Sequence, residues 1–253
     1  MRIFLVAACV AQSVAVMAIL NRIAYVVNKK ISLTYNKRIV YAKPRRLFAL
    51  FSTYLGFKFA GDYTNISELP QQYMIISNHQ SLLDIPLFMR YLEPTRLRFV
   101  AKAELGRHIP AVSLVLRGDK HCLIRRTGSP STAMRELDRF AERVRENNWI
   151  PVIFPEGTRS RDGNTGTFHA AGFRRFMDKY PLPVAVCAVE GGWNISSLAG
   201  MVKRMKGGEY RVKVLKVFPA PGNKAEQLRV LEEGKELINN QLVVWRSDCY
   251  QNC

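Results

Sequence analysis

From residue 73 onward, short apolar runs alternate along the chain with segments in which apolar residues recur at helical spacing. The runs have the length and the β-branched content of buried strands, and they lie at 73–77, 97–100, 122–124, 149–154, 182–189 and 210–218. Helical spacing is found at 85–89, 109–116, 172–180 and 224–245. Strands that alternate with helices predict an α/β fold, in which a mixed sheet is flanked by helices on both faces.

A further helix is predicted to begin after Ser129, because serine is a favoured N-cap residue and Pro130 suits the first helical position. We expect the apolar stripe of this helix to pack on the sheet. The stripe consists of Ala133, Leu137, Phe140, Ala141 and Val144.

Residues 3–20 are almost wholly apolar and would span about 27 Å as a helix, close to the thickness of a hydrocarbon core. A secretory signal peptide is the main alternative. However, no small-residue cleavage site followed by a mature start is evident, and apolar residues continue to position 27. We therefore expect an N-terminal membrane-embedded helical segment.

The stretch 29–46 carries seven basic and no acidic residues, so the positive-inside rule places it on the cytoplasmic side, beside anionic lipid headgroups. Residues 47–59 are predicted to form a second helix, lying either in the membrane interface or in the protein core. The chain thus divides into membrane-associated N-terminal helices at 1–61 and an α/β domain at 62–253. This pattern predicts attachment to the inner (cytoplasmic) membrane, with the α/β domain on the cytoplasmic side.

The formal net charge of +18 predicts an anionic partner, such as an acidic membrane surface, a phosphorylated substrate or nucleic acid. Nucleic acid is disfavoured, because no zinc-finger spacing or aromatic RNA-binding signature occurs and the basic residues are spread widely. The five cysteines are scattered and include no C-x-x-C pair, which indicates reduced thiols rather than disulfides or a zinc site.

Polar residues with catalytic potential follow the strand predicted at 73–77. His79 and Asp84 are five residues apart, a step that turns roughly 140° on a helix and would separate their side chains. They can meet only if His79 lies in the turn and Asp84 in the first helical turn. The carboxylate would then fix the imidazole tautomer and leave the other ring nitrogen free to accept a proton. Alternatively, Asn78 or Ser81 caps the helix, and His79 and Asp84 are solvated.

A second polar turn, Glu156-Gly157-Thr158-Arg159, follows the strand predicted at 149–154. Arginine offers a planar fork that matches phosphate oxygens, and Gly157 lets the backbone approach a ligand closely. The alternative is a surface loop in which Arg159 or Arg161 pairs with Asp162. Two polar turns at strand ends favour ligand binding over a purely structural role for both.

These two turns resemble the paired signatures of the glycerolipid acyltransferase family, which includes bacterial 1-acylglycerol-3-phosphate acyltransferases. The matching residues are Asn78-His79-x4-Asp84 and Phe154-Pro155-Glu156-Gly157-Thr158-Arg159. Between them, Ala101-Lys102-Ala103-Glu104-Leu105 and Leu123-Ile124-Arg125-Arg126 resemble the middle motifs of the family. The resemblance extends over residues 70–190 and is specific because both main signatures occur.

The resemblance implies acyl transfer without a covalent acyl-enzyme, in which His79 is the general base and Asp84 orients it. Asn78 or a nearby backbone amide would stabilise the oxyanion. The other histidines, His108, His121 and His169, are expected to be structural or solvated. The implied acceptor-binding residues all lie in the matching motifs, with Arg159 as the main phosphate ligand: Lys102, Arg126, Glu156, Gly157, Thr158 and Arg159. Glu156 and Thr158 would shape the acceptor site, either by contacting the glycerol or by holding the loop through hydrogen bonds.

The implied reaction moves a fatty acyl group from acyl-CoA or acyl carrier protein to the sn-2 hydroxyl of lysophosphatidic acid, with no metal or further cofactor. One rival interpretation is acyl transfer to another lysolipid, such as a lyso-ornithine lipid. Others are a metal-dependent hydrolase with His79, Asp84 and Glu156 as ligands, and a non-enzymatic lipid or nucleic-acid binder.

The chain also departs from the family pattern at positions that bear on the identity of the acceptor. Arg125 stands where the family commonly has an acidic residue, so either Arg125 or Arg126 could be the phosphate ligand. Val186 replaces a second proline of the family pattern, and His169-Ala170-Ala171 replaces basic residues.

Overall fold

The computed structural model describes residue 12 and residues 45, 48–49, 51–53, 55–108, 116, 118–125, 129–195 and 208–251. Within these residues one sheet has seven strands: β1 Lys58–Asp62, β2 Met74–Ser77, β3 Leu97–Lys102, β4 Cys122–Ile124, β5 Ile150–Ile153, β6 Val184–Glu190 and β7 Glu209–Phe218. The helices with both ends among the described residues are α1 Asp84–Tyr91, α2 Leu105–His108, α3 Pro130–Asn147, α4 Ala170–Lys179 and α5 Lys224–Gln251. Short 3-10 turns lie at Ile66–Glu68 and Trp193–Ile195.

The strands follow the order β1-β7-β6-β2-β5-β3-β4 across the sheet. Strands β6, β2, β5, β3 and β4 are mutually parallel, β7 is antiparallel to β6, and β1 is parallel to β7. The prediction of a mixed α/β sheet flanked by helices is therefore confirmed. The carboxyl ends of β2, β3, β4 and β5 lie at the same end of the sheet, where open α/β sheets bind their ligands.

Helices cover both faces of the sheet, so the central strands are buried on both sides. In β2, Ile75 packs into a cluster with α1 and the helical residues Phe48, Phe51 and Leu55. Its neighbour Ile76 packs on the opposite face, in a cluster with α3, α4 and α5. Each fully buried apolar side chain of this kind stabilises the fold by about 1.5–3 kcal/mol.

Helix α3 begins as the sequence predicts. Ser129 is the N-cap residue and its side chain accepts a hydrogen bond from the backbone N–H of Ser131, while Pro130 occupies the first helical position. Its predicted stripe is buried at Leu137, Phe140, Ala141 and Val144. An ion pair of 2.5 Å between Arg175 and Asp138 then joins α4 to α3.

The N-terminal boundary differs from the prediction. The helix predicted over 47–59 ends sooner, because Gly56 adopts a left-handed φ of 63° and Lys58–Asp62 forms β1. The proposed domain boundary between 61 and 62 therefore falls inside a strand of the sheet. Phe48, Phe51 and Leu55 are only 2–5% exposed, which favours the core over the membrane interface for the described part of this helix.

Two of the predicted helices fall almost wholly outside the described residues. Only residue 12 is described in the membrane segment at 3–20, and only Leu116 in the helix at 109–116. Among the residues that are described, no helix combines the length and the apolar character needed to cross a membrane. The N-terminal membrane segment therefore stays a prediction.

The C-terminal helix is longer than predicted. Helix α5 continues to Gln251, past the expected end at Trp245. The prediction ended too early because the last turns are polar and carry no apolar stripe from which a helix could be recognised. The additional turns begin with Arg246.

Candidate active site

The structure brings His79 and Asp84 together in the turn between β2 and α1. Strand β2 ends at Ser77 and α1 begins at Asp84, so His79 lies in the connecting turn. The imidazole Nδ1 is 2.6 Å from the Asp84 Oδ2 atom. Because a carboxylate accepts hydrogen bonds, Nδ1 carries the proton and Nε2 is left with a lone pair that can accept one.

Asp84 is a fully buried carboxylate that accepts hydrogen bonds from four groups. Its Oδ2 atom accepts from His79, from Gln80 N at 2.8 Å and from Ser81 N at 3.1 Å. Its Oδ1 atom accepts from the Tyr210 hydroxyl. A buried charge is tolerated when its lone pairs are satisfied in this way. Asp84 is therefore held in one orientation toward His79.

Sequence reasoning missed Tyr210. Its side chain is fully buried on β7, and burial together with the negative charge of Asp84 raises its pKa well above the ordinary tyrosine value. The hydroxyl therefore stays protonated and donates a hydrogen bond to Asp84. Tyr210 is 126 positions from Asp84, and only the pairing of β7 with β6 brings the two residues together.

The second polar turn lies against the first. The backbone N–H of His79 donates to Glu156 Oε1 at 2.9 Å, and its carbonyl accepts from Ser160 N at 2.7 Å. The Phe154 ring stacks on the imidazole, with 4.2 Å between ring centroids and 14° between planes. Backbone and side chain of His79 are thus both held by the turn that contains Arg159.

Glu156 links loops rather than facing the pocket. It is 4% exposed, and its second oxygen, Oε2, accepts from Gly166 N at 2.9 Å. Burial raises the pKa of this carboxyl group. Of the two roles that the sequence left open, contact with glycerol or support of the loop, the hydrogen bonds favour support.

Asn78 also has a different partner from the expected one. Its side chain is 1% exposed, donates to the Val189 carbonyl at 2.9 Å and accepts from Val189 N at 2.9 Å. Both polar ends of the amide are therefore used to join the turn between β2 and α1 to β6. This geometry leaves a backbone N–H, the other expected donor, to stabilise an oxyanion.

A cavity of about 310 Å³ lies at the carboxyl ends of β2, β3, β4 and β5. Much of its wall is apolar, with Leu82, Ile85, Phe99, Leu105 and Ile124 among the lining residues. Five of the predicted site residues line it as well: His79, Lys102, Gly157, Thr158 and Arg159. The turn depends on Gly157, whose φ of 61° is in the left-handed region. Arg126 lies outside the described residues, and Arg125 is exposed.

The described histidines other than His79 differ from it in their surroundings. His169 is exposed at the N-cap of α4, and the side chain of His108 lies outside the part of the chain that the structure describes. His121 is buried, and its Nδ1 accepts from the Phe99 backbone N–H at 2.8 Å. Burial and the nearby positive charge of Arg98 lower the pKa of His121 to about 3, so it is neutral near pH 7.

His121 should make the protein less stable in acid. Its folded pKa of about 3 lies below the ordinary 6.5, so the unfolded chain binds the proton first as pH falls. Its full contribution to stability is present above pH 6.5, and about 2 kcal/mol of it is lost between pH 7 and pH 5. His121→Asn keeps an acceptor for Phe99 but cannot titrate. In urea unfolding at both pH values, the variant should lose about 2 kcal/mol less than the parent protein; equal losses would contradict this.

Comparison with known proteins agrees with the geometry. The family model described as Acyltransferase matches residues 62–190, just over half of the chain. Human 1-acyl-sn-glycerol-3-phosphate acyltransferase beta is 31% identical over 62% of this chain and 55% of its own. The 1-acyl-sn-glycerol-3-phosphate acyltransferase of Helicobacter pylori is 32% identical over 44% of this chain and 45% of its own. This chain therefore matches about half the length of these two relatives.

The fold has a counterpart among solved structures. The crystal structure of the 1-acyl-sn-glycerophosphate (LPA) acyltransferase PlsC from Thermotoga maritima superposes with a TM-score of 0.63 at 22% identity. The superposition covers 97% of this chain and 93% of that one. At this identity the likeness extends to the fold alone. The family match over more than half of the chain therefore shows that the chain belongs to the glycerolipid acyltransferase family, in which it resembles the lysophosphatidic acid acyltransferases.

Proposed function

We propose that this chain transfers a fatty acyl group from acyl-CoA or acyl carrier protein to the sn-2 hydroxyl of 1-acylglycerol-3-phosphate, forming phosphatidic acid in phospholipid biosynthesis. The observation that carries the proposal is the placement of His79 and Arg159 on one cavity. This acceptor requires two groups: a general base for its hydroxyl group and a guanidinium that can bind its phosphate.

In the proposed mechanism, His79 Nε2 removes the proton of the acceptor hydroxyl while its oxygen attacks the thioester carbonyl. Asp84 stabilises the imidazolium that forms, because its carboxylate lies 2.6 Å from Nδ1. The tetrahedral intermediate collapses with cleavage of the C–S bond, and the imidazolium returns the proton to the departing thiolate. Substrate hydroxyl and thioester react directly, so no acyl group is attached to the protein.

The apolar wall and the basic rim of the cavity suit an acyl chain beside an anionic headgroup. Leu82, Ile85 and Phe99 provide apolar surface, and Arg159 and Lys102 provide positive charge. Arg159 is exposed at the rim, where its guanidinium can reach a phosphate in solvent or in a membrane surface.

Replacement of Arg159 should weaken binding of the acceptor more than it slows chemistry. A charge-assisted hydrogen bond contributes about 1.5–3 kcal/mol, so Arg159→Gln should raise the KM for lysophosphatidic acid by about 10- to 100-fold. Arg161→Gln is the matched control, because Arg161 is exposed in the same turn and is not among the described residues that line the cavity. Similar KM values for the two variants would show that Arg159 is not the phosphate ligand.

The full chain is also proposed to act at an anionic membrane surface, on the cytoplasmic side of the inner membrane. The net charge of +18 and the basic stretch at 29–46 support this placement. The segment at 3–20 would attach the protein to the membrane. Vesicle flotation with neutral and anionic lipids would test it, since anionic lipid should increase the bound fraction.

A second candidate is acyl transfer to another lysolipid, such as a lyso-ornithine lipid, which the departures from the family pattern at Arg125 and at 169–171 keep open. A metal-dependent hydrolase is disfavoured by the geometry. Both Glu156 oxygens accept backbone N–H groups, and Asp84 is surrounded by donors, so neither carboxylate presents a free face to a cation.

The identity of the acceptor can be tested with purified full-length protein in detergent. Thiol release from long-chain acyl-CoA would be measured with lysophosphatidic acid, with a lyso-ornithine lipid and without acceptor, and the panel repeated with acyl carrier protein as donor. Release that requires lysophosphatidic acid is expected. Release only with the lyso-ornithine lipid would keep the mechanism and replace the substrate, whereas no release with any pair would reject both candidates.

A further inference from the structure

A buried polar side chain next to His79 connects the catalytic turn to a distant part of the fold. Gln80 is fully buried, and both ends of its amide are engaged. Its Oε1 accepts from Gly192 N at 3.0 Å, and its Nε2 donates to Glu190 Oε2 at 2.8 Å and to the Gly163 carbonyl at 3.3 Å. The amide orientation is fixed by these partners, because Gly192 can only donate and Gly163 can only accept through these backbone groups.

Glu190 in turn pairs with the C-terminal helix. The Arg246 guanidinium lies 3.2 Å from each Glu190 oxygen, through Nε to Oε1 and Nη2 to Oε2. This is a bidentate arrangement, the geometry in which arginine holds a carboxylate most specifically. The pair is largely shielded from solvent, with the side chains of Arg246 and Glu190 33% and 14% exposed.

The same arginine also fixes the loop that follows Arg159. Its Nη2 donates to the Gly163 carbonyl at 2.8 Å, and its Nη1 donates to Asn164 Oδ1 at 3.0 Å. Gly163 has a φ of 87°, and a Cβ atom there would lie 2.8 Å from Arg246 Nη2. A residue with a Cβ atom would therefore clash with Arg246 at this position, which explains the glycine.

These contacts lead to the groups that do the chemistry. The backbone N–H of Gln80 donates to Asp84 Oδ2, the oxygen that also binds the His79 imidazole. The Gln80 side chain therefore sets the direction of a donor that helps to orient Asp84. Loss of the charge balance at Glu190 would be transmitted along this path. Without Arg246, this largely buried carboxylate keeps, among the described residues, only the neutral donors Gln80 Nε2 and Trp193 Nε1, so its charge is no longer compensated.

We propose that Glu190 and Arg246 are positioning residues for acyl transfer, acting through Gln80 on the His79–Asp84 pair. Helix α5 is then part of the catalytic apparatus, although none of its described residues is among those that line the cavity. This inference rests on the proposed role of His79 as the base. It predicts a loss of kcat, because the reacting groups are misplaced while the phosphate ligand Arg159 remains.

The test is a double-mutant cycle at the ion pair. Arg246→Met leaves the Glu190 charge unpaired, and Glu190→Gln leaves Arg246 without its carboxylate. Each variant should lower kcat by about 10- to 100-fold, with the KM for lysophosphatidic acid within about twofold of the parent value. The double variant removes both charges and keeps an acceptor at position 190 for Gln80 Nε2. The kcat of the double variant should be about tenfold higher than that of the less active single variant.

The matched control is Arg229→Met, which removes an arginine of the same helix from an exposed ion pair with Glu233. It should leave kcat unchanged, since Arg229 is far more exposed and contacts no part of the catalytic turn through that pair. Thermal unfolding of each variant shows whether it is folded. If Arg246→Met does not fold, Arg246→Lys keeps the charge but not the bidentate geometry and should show a smaller loss of kcat.

The outcomes separate the inference from the proposed function. His79→Ala is assayed in parallel: if it keeps activity, the proposed mechanism fails. If His79→Ala is inactive while the Glu190 and Arg246 variants keep kcat within about twofold of the parent, the positioning role alone is overturned. It is also overturned if kcat falls only in proportion to the folded fraction, with no recovery in the double variant.

Discussion

Replacing His79 by alanine should lower the kcat for acyl transfer to lysophosphatidic acid by about 10³-fold or more, because the group that accepts the hydroxyl proton is removed. The imidazole is only 17% exposed, but it lies at the cavity rather than in the core, so the fold should survive the change. Initial rates of thiol release under saturating acyl-CoA measure the effect.

His169→Ala is the control for this variant. His169 is an exposed histidine at the start of α4, and its side chain forms no capping hydrogen bond. It should therefore keep the parent kcat. An His79→Ala protein that is folded and as active as His169→Ala would show that the base lies elsewhere.

Replacing Asp84 by asparagine should lower kcat by about 10²- to 10³-fold, with little loss of stability. The amide oxygen can still accept from His79, Gln80 and Ser81, and the amide NH₂ can donate to the Tyr210 oxygen. The charge that stabilises the imidazolium is lost, however, and charge stabilisation is needed only as the proton is transferred. Kinetics and thermal unfolding of the same preparation test both parts.

Asp84→Ala distinguishes charge from packing. It leaves four donors without an acceptor in a fully buried position, and each such donor costs about 1–3 kcal/mol. The alanine variant should thus be both inactive and strongly destabilised. Equal stability of the asparagine and alanine variants would contradict the hydrogen-bond arrangement around Asp84.

The sequence allowed prediction of those parts of the fold and site that depend on local pattern. The strand–helix alternation gave six of the strands, and the cap at Ser129 gave the start of α3. The meeting of His79 and Asp84 was foreseeable because a strand, a turn and a helix within a few residues determine it. Strand β1 was missed, because Phe57 and Phe59 also continue the helical spacing of the preceding stretch, three residues after Tyr54 and four after Leu55.

Long-range partners could not be predicted from local pattern. Tyr210 contacts Asp84, and Glu190 contacts Gln80, from positions more than 100 residues later in the chain. Arg246 is linked to this region through Glu190, and the sheet order and the end of α5 bring these residues together. Their residue types carry no signal of their own. Asn78 is the converse case: its place in a motif suggested a role with substrate, whereas its amide is used by Val189.

One measurement would decide whether His79 activates the hydroxyl of a phosphate-bearing lysolipid. Purified parent protein and His79→Ala would be incubated with lysophosphatidic acid and with either acyl-CoA or acylated acyl carrier protein, and phosphatidic acid would be quantified over time by mass spectrometry. We expect the parent protein to form phosphatidic acid only when both substrates are present, and His79→Ala to form it at the uncatalysed background. Formation at equal rates by both proteins, or none by folded parent protein with either acyl donor, would contradict the proposed function.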